Sequence, residues 1–146
     1  MQFSELLNLF KSGKTTVKSH MKNLIEMAAA DGHFQDVEYD LLKKIGKRNG
    51  VSDKQLQEIR SNPAAVAFEV PKDNKEKFHQ IYDLVHMMSI DEQIHSEERK
   101  LCNLIAIKFG YKRGIVDDLI DSIRSNIKNG ISHDEALKRL GMLIQN

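Results

Sequence analysis

The sequence predicts an all-α fold, a compact bundle of about seven to eight helices built from two pseudosymmetric three-helix repeats. Three observations predict it. Residues 18–59 realign without a gap on residues 78–119 at a constant offset of 60, with identities at Leu24/Leu84, Met27/Met87, Asp31/Asp91, Glu38/Glu98, Leu41/Leu101, Ile45/Ile105 and Gly50/Gly110. Composition alone accounts for roughly two or three such matches. Apolar residues recur at intervals of three and four, and no stretch alternates as a strand would. Gly50, Gly110 and Gly130 each follow a cation (Arg48, Lys108, Lys128) within one turn, which is how a helix C-terminus is written.

The elements follow in chain order. Phe3, Leu6, Leu7 and Phe10 mark a short amphipathic helix near 3–11, and Met21, Leu24, Ile25, Ala28 and Ala29 form one face of a helix near 15–30. Asp36 reads as the N-cap of a helix near 36–49 that carries Leu41, Leu42 and Ile45, and Ser52 with Gln55 makes a capping box for a helix near 53–61. Ala65 to Val70, between Pro63 and Pro71, lacks a helical pattern and falls in the linker at 62–73. The second half repeats the plan. Helices are expected near 74–90, 96–109 (N-cap Ser96) and 112–128, and the Ser132/Glu135 box opens a last helix at 133–144. The organisation is one domain, 1–146, with repeat one at 15–61, repeat two at 74–128 and a C-terminal helix. Each three-helix unit has an apolar face to cover, so the halves should pack on each other about a pseudo-twofold axis, neither folding alone.

Composition narrows the function classes. With 22 basic against 21 acidic residues the chain is close to neutral, so nucleic acid is not an expected partner. The single Cys102 excludes an intrachain disulfide and a multi-cysteine zinc module, and fits a reducing cytoplasm. The first ten residues lack the basic start of a leader, and no stretch has the ~18 apolar residues of a transmembrane segment. Lys11, Lys14, Lys18 and Lys22 read as a solvated basic stripe. Met21, Met27, Met87 and Met88 fall at helical spacing and read as core fillers.

The residues most suggestive of chemistry are the repeated acids. The first loop reads Asp31-Gly32-His33-Phe34-Gln35-Asp36-Val37-Glu38, and the second Asp91-Glu92-Gln93-Ile94-His95-Ser96-Glu97-Glu98. Each matches the second half of a calcium-binding EF-hand, but the earlier ligand positions hold Met27 and Ala29, or Met87 and Ser89, so calcium binding in that mode is not expected. Nearly the whole chain resembles the tellurite-resistance TerB-like family of bacterial helical proteins. The resemblance is carried by Ala30-Asp31-Gly32, Glu38 and Leu41 in the first half. In the second it rests on Asp91-Glu92, Ile94, Glu98, Leu101 and Ile105-Ala106-Ile107-Lys108-Phe109-Gly110-Tyr111. It implies two pseudosymmetric helical repeats, a role in stress or toxic-anion response, and a divalent metal held by Asp31, Glu38, Asp91 and Glu98. Glu92 departs from the pattern where the first repeat has Gly32, which makes the two loops chemically unequal.

The residues themselves leave two readings open. If the loops meet, four carboxylates repel unless a cation neutralises them, and hard oxygen ligands select calcium, magnesium or manganese. Alternatively these acids are helix-start residues, Glu38, Glu97 and Glu98 favoured there by the macrodipole and free amides, by about 0.3–1 kcal/mol each. His33, His86 and His95 lie near the same loops, but their spacing matches no metal signature, and His79 and His86 are too far apart along a helix to grip one ion. No nucleophile elbow, phosphate loop or triad is present, so no enzyme is expected. The alternative to metal binding is an interaction module that docks on a protein or the inner membrane surface through Lys11 to Lys22 or the Phe3–Phe10 face.

Overall fold

A computed structural model of the chain describes the side chains of residues 16–140 except 31, 33 and 91–93, and the backbone alone at 3–15 and 141–144. Among the described residues all regular structure is helical: α1 (Phe3–Ala29), α2 (Asp36–Arg48), α3 (Asp53–Ser61), a 3-10 turn at Pro63–Ala65, α4 (Asn74–Ser89), α5 (Ser96–Lys108), α6 (Arg113–Lys128) and α7 (His133–Ile144). The helix limits of the two halves correspond. Sixty positions separate both ends of α2 from those of α5, and the start of α3 from that of α6.

Two expectations about helix limits are corrected. The helices expected at 3–11 and 15–30 are one helix of 27 residues, α1, with Gly13 in its interior. A glycine there costs only about 1 kcal/mol against alanine, and the helical propensity on both sides carries the chain through. The caps of α2 and α5 sit one residue earlier than Asp36 and Ser96. The backbone N–H groups of Gln35 and His95 donate to Glu38 Oε1 and Glu98 Oε1 (3.2 Å each), so Gln35 and His95 are the N-caps and the two glutamates occupy the third helical position. Ser52 caps α3 as its sequence suggests, and Ser132 Oγ accepts the Glu135 N–H. Gly50, Gly110 and Gly130 all adopt positive φ at helix ends, a region closed to most side chains.

α4 is the central helix. It packs against α1, α2, α5, α6 and α7, and from Phe78 to Met88 only His79 and His86 are less than fully buried. Met21, Met27, Met87 and Met88 are in the core, as their spacing suggests. After the 3-10 turn, residues 66–70 run along α1. The Glu69 N–H donates to Ser19 Oγ (2.8 Å) and Lys22 Nζ to the Val66 carbonyl (2.7 Å). Lys22, expected in a solvated stripe, is therefore half-buried and clamps the linker. Lys11 and Lys14, like the Phe3–Phe10 face, lie outside the described side chains.

Candidate functional site

The acidic loops enter the structure as two helix starts. Glu38 and Glu98 are 4% and 3% exposed, and both carboxylates accept the N-cap amide. Gly32, with φ +84°, makes the turn ahead of the first. Asp31, His33, Asp91 and Glu92 lie outside the described residues. Among the described residues no group of three or more histidine, cysteine, aspartate or glutamate side chains is arranged to hold a metal ion. Glu38 and Glu98 each accept the amide at a helix start, one of the two roles that the sequence leaves open for them.

A second cluster is assembled around Asp83. Its side chain, 2% exposed, comes from the middle of α4, where the flanking residues Ile81, Tyr82, Leu84 and Val85 are buried as well. Three donors reach it from three other helices. His20 Nε2 on α1 lies 2.8 Å from Oδ2, Arg48 Nη2 at the end of α2 spans both oxygens at 2.8 and 2.7 Å, and His133 Nε2 at the start of α7 is 3.3 Å from Oδ1. Burial works to raise the pKa of Asp83, but the hydrogen bonds from His133 and His20 and the charges of His20 and Arg48 outweigh it, holding the carboxyl well below the usual carboxylate range. It is therefore an anion, and an acceptor only.

That fixes the protons around it. His20 and His133 must each carry hydrogen on Nε2. His20 Nδ1 is buried and makes no hydrogen bond among the described residues. His133 Nδ1 lies 2.9 Å from His79 Nδ1, so one of the two nitrogens donates and the other is bare. The pair can hold one extra proton while this contact persists, and not two. Burial lowers the pKa of His79, the neighbouring His133 lowers it further, and Asp134 and Glu76 oppose them. His79 Nε2 faces Asp134 Oδ1 at 3.7 Å, an ion-pair distance if the ring is charged. The Tyr82 ring packs against His133 with centroids 3.9 Å apart, and its hydroxyl donates to the Ile131 carbonyl (2.8 Å), which anchors the start of α7.

The cluster forms the floor of an open cavity of about 400 Å3, with Glu76, Asn49, Ser132 and Asp134 around it. Gln80, one turn from Asp83, donates from Nε2 to Glu76 Oε1 (3.2 Å), while its own Oε1 is buried without a partner. Nucleophiles are poorly placed here. Burial pushes the Cys102 thiol up to about 12, and Ser132 Oγ is committed to capping α7.

His79 pairs with His133 on α7, and His20 and Asp83 carried no motif because their partners are 63 and 50 residues away in sequence. One signal was available. Asp83 falls among apolar residues in the middle of a helix whose other positions read as core, where an acid is unexpected without partners. No family model, curated protein or solved structure matches the chain.

Proposed function

We propose that this chain is a non-enzymatic binding domain that holds a small polar ligand in the cleft over Asp83. One observation carries the reading. A buried carboxylate joined by donors from three other helices stands at the floor of an open cavity, although an ion pair in the interior is a poor source of stability compared with apolar packing. Binding is favoured over catalysis by the state of the side chains. The histidine nitrogens that meet in the cluster are committed to Asp83 or to each other, and neither Cys102 nor Ser132 offers an activated nucleophile. The biological setting rests on the TerB-like resemblance: a bacterial, cytoplasmic protein of tellurite or other stress response, made of two pseudosymmetric repeats. The matching limits of α2 and α5, and the two buried glutamates sixty residues apart, support the repeat.

The test is thermal stabilisation of the protein by a panel of amino acids, organic acids, amines and nucleotides, together with calcium, magnesium and manganese. The parent is compared with Arg48→Ala and with the double variant Glu38→Gln, Glu98→Gln. A small molecule that stabilises the parent and the glutamine variant, but not Arg48→Ala, supports the cleft. Stabilisation by a divalent cation that survives in Arg48→Ala and disappears in the glutamine variant would move the function to the acidic loops. Stabilisation by nothing in the panel would overturn the cleft reading in favour of docking on a protein or membrane surface.

A further inference from the structure

The charged groups of the cleft are sorted along α4. Near Asp83, Arg48 uses only Nη2 on the carboxylate. Its Nη1 and Nε make no hydrogen bond among the described residues, and the side chain, 51% exposed, lines the cavity with these donors unused. Seven residues earlier, about 10 Å along the helix axis, stands Glu76, held by the neutral amide of Gln80. Asp134 lines the same cavity from α7, and its nearest basic group is His79 at 3.7 Å. Asp83 matches the charge of Arg48, but no lysine or arginine among the described residues pairs with Glu76 or Asp134. A lone anion on the unused donors of Arg48 would share the cavity with two unneutralised carboxylates. A lone cation beside them would leave those donors unused.

From the reading of the cleft as a ligand site, we propose that its ligand is a small amino-carboxylate zwitterion, with the carboxylate on an unused N–H donor of Arg48 and the ammonium beside Glu76 and Asp134. Arg48 suits the first role because an unused guanidinium N–H gives a carboxylate oxygen a charge-assisted hydrogen bond, and the second is charge-assisted hydrogen bonding to two acids. The cavity, about 400 Å3, is at the lower end of small-molecule sites, a size for an amino acid rather than a nucleotide. Glu76 and Arg48 are separated by two turns of α4, so the site should respond to the distance between the ligand's charges.

The experiment is isothermal titration of the full chain at pH 7.5 with glycine, 3-aminopropanoate, 4-aminobutanoate, 5-aminopentanoate and 6-aminohexanoate, and with butanoate and butylamine as singly charged controls. The expected result is an affinity that peaks within the series and exceeds both controls by at least tenfold. Glu76→Gln should reduce the best zwitterion at least tenfold and leave butanoate unweakened. Arg48→Gln should do the reverse, sparing butylamine, and thermal unfolding would verify that each variant is folded. If Arg48→Gln does not fold, Glu76→Gln alone decides. Controls that bind as tightly as the zwitterions, or a series that does not bind while another compound of the panel stabilises the parent through Arg48, would overturn the ligand class and leave the cleft standing. No stabilising compound of any kind would overturn both.

Discussion

Replacing Asp83 with asparagine tests whether the cluster is a buried electrostatic unit. The charge is removed at constant shape, and the asparagine amide turns a donor toward groups that are donors themselves. The His20 contact, 2.8 Å long with both partners 2% exposed, is a buried charge-assisted hydrogen bond, worth about 1.5–3 kcal/mol. The Arg48 pair has one half-exposed partner and is screened, so it adds about 1 kcal/mol or less, and the 3.3 Å contact to His133 adds about 0.5 kcal/mol. The expected loss is about 3–4 kcal/mol, in line with breaking a buried pair from one side. With a urea slope of roughly 1.5–2 kcal/mol/M, the unfolding midpoint at pH 7 should fall by about 2 M. The pH dependence gives a second readout. A carboxyl whose folded pKa is depressed contributes stability above its unfolded value, about 3.9, and loses that contribution as pH falls toward the folded value. The gap between parent and Asp83→Asn should therefore narrow steadily below about pH 4. A loss under about 1 kcal/mol at pH 7, or a gap that does not change with acid, would refute the assignment of a buried anion.

Other outcomes follow from the same geometry. His79 and His86 have pKa values lowered mainly by burial, so the folded state disfavours their charged forms, and stability present above about pH 6.5 should be lost as pH falls through their folded values. Urea unfolding at pH 5.5 and 7.5 should show that loss in the parent and a smaller one in His79→Gln. Cys102, with its thiol raised to about 12 by burial, should resist a thiol reagent at pH 8 in the native protein and react fully in denaturant. Glu38→Gln and Glu98→Gln keep an acceptor for the N-cap amide and should each cost under about 1 kcal/mol. The corresponding alanine variants remove it and should cost about 1–2 kcal/mol, measured by urea unfolding.

The fold was largely legible because its signals are local. Apolar spacing, the Ser52 and Ser132 boxes and the glycine stops at 50, 110 and 130 depend on neighbours within a turn or two, and they locate six of the seven helices of the described residues to within a residue or two. Gly13 misled because one unfavourable residue does not end a helix when favourable turns flank it. Asp36 and Ser96 misled by one position. Both are good caps by type, but the reach of Glu38 and Glu98 back to the chain sets the N-cap at Gln35 and His95. The cleft was illegible for the opposite reason. His20, Arg48, Asp83 and His133 come from four helices, and only packing brings them together. Repetition drew attention to Asp31, Glu38, Asp91 and Glu98, and a duplicated helix start repeats its acids as faithfully as a duplicated site would.

The most direct test of the cleft is the map of backbone amide shifts on adding the stabilising small molecule, or 4-aminobutanoate in its absence, to 15N-labelled protein. The account predicts that the shifted residues gather at the end of α2, along α4 from Glu76 to Asp83, and at the start of α7. Shifts confined to residues 30–38 and 90–98, appearing only with calcium, magnesium or manganese, would contradict it and place the working site at the acidic loops.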